Sequence, residues 1–110
     1  MAAFSSVKDL FDNIQTRFRP EKAQGDKAVL AFELSGQDSG SFWMKIDNGT
    51  LEVGEGTPPA EADLILKAAG EDFVRIMNGE MNPMMAFMQG KVKAERNMGM
   101  AMKLMGWFGM

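Results

Sequence analysis

The apolar residues of this 110-residue chain change their spacing four times, and that alternation limits the folds open to it. Val7, Leu10, Phe11, Ile14 and Phe18 recur at helical intervals and make one stripe of an amphipathic helix. Ser6 stands where a side chain can accept from the backbone N–H of Asp9, and Arg19-Pro20 ends or bends the helix. A polar stretch, Glu21 to Asp26, precedes a period of two. Leu30, Phe32 and Leu34 then share a face, as do Phe42, Met44 and Ile46, while Lys45 and Asp47 point away. Asn48-Gly49 tolerates positive φ at both residues and marks a tight hairpin, after which Leu51 and Val53 continue the alternation. Three strands so connected read as an antiparallel meander.

The loop Gly54 to Glu61, with Pro58-Pro59, is too short to link domains. Ala62 to Ala68 reads as a fourth strand with Leu64, Leu66 and Ala68 inward. Beyond Gly70 the helical period returns in Phe73, Ile76 and Met77, with Glu71 and Asp72 in the first turn, where the helix dipole favours negative charge. Asn82-Pro83 is an N-cap followed by proline at the first helical position, and Gly90 closes that short helix. Lys91 to Arg96 alternates again, with Val92 and Ala94 inward, and Asn97 can cap a last helix from Met98 to about Phe108. The pattern predicts an α+β fold, a single domain over residues 1–110 with a five-stranded mixed sheet and helices packed on it.

Composition removes whole classes of chemistry. There is no Cys, His or Tyr, which excludes a Cys nucleophile, a Ser-His-Asp triad and a Cys/His zinc site. Asp9 and Asp12 read as solvent face on the first helix, and Glu71 with Asp72 as dipole complement. No catalytic residue, metal or cofactor is assigned, and the chain is not expected to be an enzyme. A net charge of −3 argues against nucleic acid as a partner. The charge is uneven: residues 91–110 hold Lys91, Lys93, Arg96 and Lys103 against Glu95, a net of +3, which leaves −6 for residues 1–90. No signal-peptide run follows the first residues, and no stretch is long enough to span a bilayer, so a cytoplasmic location is expected.

Ten of the twelve methionines lie from Met77 onward. Methionine is flexible and polarizable, suited to surfaces that repack around varied partners. At about 100° per residue, Met98, Met102 and Met105 cluster on one side of the last helix. Ala101, Phe108, Leu104, Met100 and Trp107 extend the apolar arc to about 220°, roughly twice what a surface helix needs. The surplus must face a second core layer, a ligand, a subunit or a membrane.

The stretch Glu71-Asp72-Phe73, Gly79-Glu80-Met81-Asn82-Pro83-Met84-Met85-Ala86-Phe87-Met88-Gln89-Gly90-Lys91-Val92-Lys93 and Asn97-Met98-Gly99-Met100-Ala101-Met102-Lys103-Leu104 resembles the sterol carrier protein 2 family. The landmarks are Asn-Pro, Ala-Phe, Gly-Lys-apolar-Lys and Asn-Met-Gly-x-Ala-x-Lys-Leu, in that order. The resemblance implies helices covering one face of the sheet, with an apolar tunnel between that binds fatty acids, acyl-CoA esters, phospholipids or sterols. The lining it implies takes Phe32 and Phe42 from the strands, and Phe73, Ile76 and Met77 from the helix after Gly70. It continues with Met81, Met84, Met85, Phe87 and Met88, and ends with Met98, Ala101, Met102 and Met105 on the last helix. Either Phe42 or Trp43 matches the family's strand aromatic, and strand parity favours Phe42. Met105 stands where some members carry a Gln near the ligand, which predicts less polar anchoring. Lys91, Lys93, Arg96 and Arg75 are candidates to meet an anionic head group.

The expected function is reversible lipid binding, with transfer between membranes as an extension. The alternative is an interaction module whose Met-rich surface contacts a second copy or another protein. Transient membrane contact, and a monomeric or homodimeric state, are both compatible with the pattern.

Overall fold

The computed structural model describes residues 3–109. Helix α1 spans Val7–Asn13, and the Ser6 hydroxyl accepts from Asp9 N–H at 3.1 Å as expected. A second cap comes from a distance: Asp38 Oδ2 accepts from Val7 N–H at 2.8 Å. Val7, Leu10, Phe11 and Ile14 are buried, but the α-helix stops short of Phe18. It tightens to a 3-10 turn over Ile14–Arg17, and Phe18 is already extended. Arg19, ahead of Pro20, is also extended, as the proline ring demands. Phe18 meets Phe108 from the other end of the chain at 5.7 Å.

Strands β1 (Lys27–Ser35), β2 (Gly40–Asp47) and β3 (Thr50–Glu55) form the meander. Asn48 and Gly49 turn it with φ of 45° and 86°, the geometry that matches strand twist in a two-residue hairpin. Strand β4 (Leu64–Ala69) starts two residues later than its alternation suggests. It does not pair with β3, the strand before it. The chain from Gly56 to Asp63 crosses over and lays β4 parallel to β1, with Leu64 opposite Leu30. Asp63 latches this crossing: its N–H donates to Val29 O at 2.7 Å, and its carboxylate accepts from Val29 N–H at 2.9 Å. Strand β5 (Val92–Arg96) pairs antiparallel with β4. The order β3-β2-β1-β4-β5 is a five-stranded mixed sheet.

Leu30, Phe32, Leu34, Phe42, Met44, Ile46, Leu64, Leu66 and Ala68 all point to one face and are buried there. Helix α2 (Gly70–Met77) follows β4 directly, and α3 (Pro83–Met88) and α4 (Met98–Trp107) complete the cover of that face. Strand parity decides between the two aromatics of β2. Phe42 faces the core, while Trp43 lies half-buried on the opposite face, over the bare Cα of Gly54. On that far face Lys67 bridges Glu33 at 3.9 Å and Glu95 at 3.1 Å.

Two helix starts differ from their expected chemistry. Glu71 does more than complement a dipole: its Oε1 accepts from Asp38 N–H at 2.9 Å and fixes the β1–β2 turn against α2. Asn97 occupies the N-cap of α4 without a side-chain cap bond. Asn82 does cap α3, accepting from Met84 and Met85 N–H at 2.9 and 3.1 Å.

Candidate functional site

The space between sheet and helices is filled unequally. On the β1–β2 side, Phe11 of α1 stacks on Phe42 at 4.2 Å and meets Phe32 edge-on at 5.4 Å. Phe73 closes on Phe32 from α2, also at 5.4 Å. Phe11, Phe32, Phe42 and Phe73 are all buried in this aromatic cluster. On the β4–β5 side no such cluster exists, and a cavity of about 210 Å³ opens among Leu66, Val92 and the residues of α2, α3 and α4.

Each wall follows from a local pattern. Gly70 lets α2 start hard against the β1–β2 turn, where a Cβ would collide with the carbonyl oxygen of Asp38. Phe73, Ile76 and Met77, one stripe of α2, then form the inner wall and are buried. Asn82 and Pro83 start α3, which brings Pro83, Met84 and Phe87 to the cavity. Helix α4 uses its wide apolar arc in two directions. Leu104, Trp107 and Phe108 are buried in the core. Met98, Ala101, Met102 and Met105 turn to the cavity, with Met98 and Met102 still more than half exposed at 51% and 56%. The surplus apolar arc is therefore the cavity's outer wall and rim.

Polar contacts outside the cavity also hold α4 in place. Trp107 Nε1 donates to Asp26 Oδ2 at 3.0 Å, and Lys103 Nζ reaches Asp26 Oδ1 at 2.9 Å. The hydrogen bond from Lys103, then that from Trp107, holds the Asp26 carboxyl below the usual carboxylate range. At the other end of α4, Arg96 adopts a φ of 75°, a left-handed conformation uncommon outside glycine. Its guanidinium donates to Ala62 O at 2.6 Å and pairs with Glu61 at 3.5 Å.

Of the fourteen residues inferred from the sequence, nine are brought together at the cavity: Phe73, Ile76, Met77, Met84, Phe87, Met98, Ala101, Met102 and Met105. Phe32 and Phe42 do face inward, but Phe11 packs on both and Phe73 on Phe32, and they are core rather than cavity wall. Met81 sits half-buried ahead of α3 and away from the cavity wall. Met85 and Met88 lie about 100° around α3 from Met84 and Phe87 and are exposed to 57% and 80%. Leu66, Pro83, Val92 and Leu104 join the wall without having been singled out. Alternation had placed Leu66 and Val92 inward, but only the β4–β5 pairing makes them neighbours at the sheet edge.

None of the thirteen lining side chains is charged or carries an N–H, O–H or carbonyl group. The site offers dispersion and exclusion of water and no acid, base or anchor. The cations considered for a head group stand elsewhere. Arg96 is committed to Ala62 and Glu61, Arg75 is exposed on α2, and Lys91 and Lys93 border a shallow groove with Glu33 and Lys67. Among the described residues, no group of three or more acidic side chains is close enough to hold a metal, and no helix is long and apolar enough to cross a membrane.

Comparison with known proteins bears on what such a cavity is for. The model of the SCP-2 sterol transfer family matches residues 8–109. Hydroxysteroid dehydrogenase-like protein 2 of Rattus norvegicus is 37% identical over 101 residues, which cover 92% of this chain and 19% of that protein. The chain thus spans about a fifth of the length of that relative. Palmitated SCP2L2 of Aedes aegypti superposes with a TM-score of 0.65 at 15% identity, over 94% of this chain and 91% of that one. A stereoselective inverting sec-alkylsulfatase from Pseudomonas sp. superposes with a TM-score of 0.76 at 24% identity, over 92% of this chain and 15% of that one. At these identities the two structures establish the shared fold.

Proposed function

The chain belongs to the SCP-2 sterol transfer family, and from that membership and the cavity we propose that it is a non-enzymatic lipid-binding domain holding an acyl chain or similarly apolar ligand between β4–β5 and α2–α4. The observation that carries the reading is a cavity whose whole wall is apolar. The fold neighbour described as palmitated supports the ligand class. The dehydrogenase-like and sulfatase names belong to much longer chains, and nothing in this cavity could transfer a proton or attack a bond.

Burial of the chain supplies the affinity, at about 0.8 kcal/mol for each methylene taken from water. Association costs of several kcal/mol oppose it. The cavity, at about 210 Å³, is smaller than the roughly 300–1,000 Å³ of drug-sized ligand sites. A long chain therefore enters only if the wall gives. Five of the thirteen lining residues are methionines, whose three rotatable bonds and lack of branching let them move aside in small steps. Selectivity then rests on chain length and shape, since no polar group in the wall reads a head group.

The test is native mass spectrometry on protein purified without detergent, followed by titration of delipidated protein with a fluorescent fatty acid. One lipid per chain is expected. Absence of any bound fatty acid, acyl-CoA, phospholipid or sterol in both experiments would overturn the proposal.

A further inference from the structure

The chain has no cysteine and twelve methionines, so oxidation of its sulfur can fall only on thioethers. The fold sorts these thioethers by their access to water. Met44 and Met77 are buried, whereas Met84, Met98 and Met102 are exposed to 49%, 51% and 56%. Those three also line the cavity, Met84 from α3 and Met98 and Met102 from α4, so both helices bring an accessible thioether to the rim. Met85 and Met88 are exposed as well but do not line it. Exposure and a place on the wall thus coincide at three sulfurs, while the two methionines beside them on α3 have exposure alone.

Oxidation turns such a side chain from apolar to polar. Hydrogen peroxide transfers one oxygen atom to the sulfur, its O–O bond breaks and water leaves. The sulfur is oxidised by two electrons, the peroxide takes them up, and the product is a sulfoxide whose oxygen is a strong acceptor. In the empty protein that oxygen can face water, because each of the three side chains is about half exposed. A guest in the cavity covers the same wall, and no lining side chain carries an N–H or O–H that could donate to a sulfoxide. The oxygen is then desolvated without a partner, which disfavours the loaded state and not the empty one.

We infer that Met84, Met98 and Met102 are a redox-sensitive modification site, at which hydrogen peroxide forms sulfoxides that exclude apolar ligands from the cavity. The consequence for ligands rests on the proposed lipid binding, whereas the choice of sulfurs rests on their exposure. A methionine sulfoxide reductase reverses the change: the oxygen leaves as water while two thiols are oxidised to a disulfide. Protection runs the other way as well. A chain lying against the wall covers the three rim sulfurs and shields them from peroxide, and it leaves Met85 and Met88 as accessible as before.

The test treats native protein with hydrogen peroxide, locates sulfoxides by peptide mass spectrometry, and measures affinity for a fluorescent fatty acid before and after. Met84, Met98 and Met102 are expected to convert ahead of Met44 and Met77. Affinity is expected to fall about tenfold or more, with the thermal unfolding midpoint near its untreated value, and to return after treatment with methionine sulfoxide reductase and dithiothreitol. Prior loading with palmitate is expected to slow conversion of the three rim methionines several-fold and to leave Met85 and Met88 unchanged. In Met84→Leu/Met98→Leu/Met102→Leu, the affinity, whatever its starting value, is expected to hold through the peroxide treatment. In Met85→Leu/Met88→Leu, which are off the wall, the loss is expected to be as large as in native protein. Full affinity in native protein carrying the three sulfoxides would overturn the inference, as would an equal loss in the variant that lacks those methionines, or equal conversion with and without palmitate. Absence of uptake by untreated protein would overturn the lipid-binding reading and this consequence with it, whereas uptake that peroxide leaves untouched overturns this inference alone.

Discussion

The indole Nε1 of Trp107 donates to Asp26 Oδ2 at 3.0 Å, joining the last turn of α4 to the residue before β1 across 81 positions of sequence. Lys103, one turn earlier, reaches the other oxygen of the same carboxylate at 2.9 Å. One side chain thus secures the cavity's outer wall to the sheet.

This attachment makes the wall acid-sensitive. The folded pKa of Asp26 lies below its ordinary value. Its contribution to stability is therefore complete above the unfolded carboxylate value of about 3.9 and is lost as pH falls through the lower folded one. Its side chain is 20% exposed, so solvent screens part of the Lys103 pairing, and the bond from buried Trp107 adds to it. Asp26→Asn, which keeps an acceptor for the indole, is expected to remove this component of acid sensitivity. Asp26→Ala leaves the indole N–H unpaired and is expected to cost about 1–3 kcal/mol. Urea unfolding followed from neutral pH to below the unfolded carboxylate value checks both.

Gly70→Ala is expected to destabilise the protein by about 2–3 kcal/mol or more, because the new methyl would meet backbone rather than a movable side chain. Relief requires α2 to move off the β1–β2 turn, breaking the bond from Asp38 N–H to Glu71. Chemical denaturation of the variant measures the cost. A near-native midpoint would show that the turn shifts freely.

Much of this arrangement is legible locally. Alternation placed Leu30, Phe32, Leu34, Phe42, Met44 and Ile46 on the core face, and the caps at Ser6 and Asn82 follow from one residue and its next few neighbours. What was hidden depends on distant partners. Periodicity reports which way Phe32 and Phe42 point, but not that Phe11 from α1 occupies the space they point into. The crossing that sets β4 beside β1 is held by Asp63 and Val29, 34 residues apart. The bond that ties the core side of α4 to Asp26 joins residues 81 positions apart.

Ala101 offers a direct probe of the cavity. It lines the wall from the middle of α4 and is half-buried, so a larger side chain there would project into free space. Ala101→Phe is expected to leave thermal stability unchanged or raise it, since filling a cavity restores contacts. It is expected to weaken binding of a fluorescent fatty acid at least tenfold. Unaltered affinity would place the ligand elsewhere.

A length series of saturated fatty acids probes the wall's compliance. Each methylene that enters adds about 0.8 kcal/mol, or about fourfold in affinity. The gain is expected to flatten once the chain spans the space between the inner wall at Phe73 and the rim at Met84 and Met102. Where it flattens depends on how far the methionines yield. Met84→Val and Met102→Val replace flexible side chains with ones restricted at χ1 in a helix. In the double variant the plateau is expected at shorter chains, with a less negative heat-capacity change on binding the longest ones. Isothermal titration calorimetry at several temperatures reads both quantities. A plateau at the native length would assign the accommodation to movement of α3 or α4 as a whole rather than to their methionine side chains.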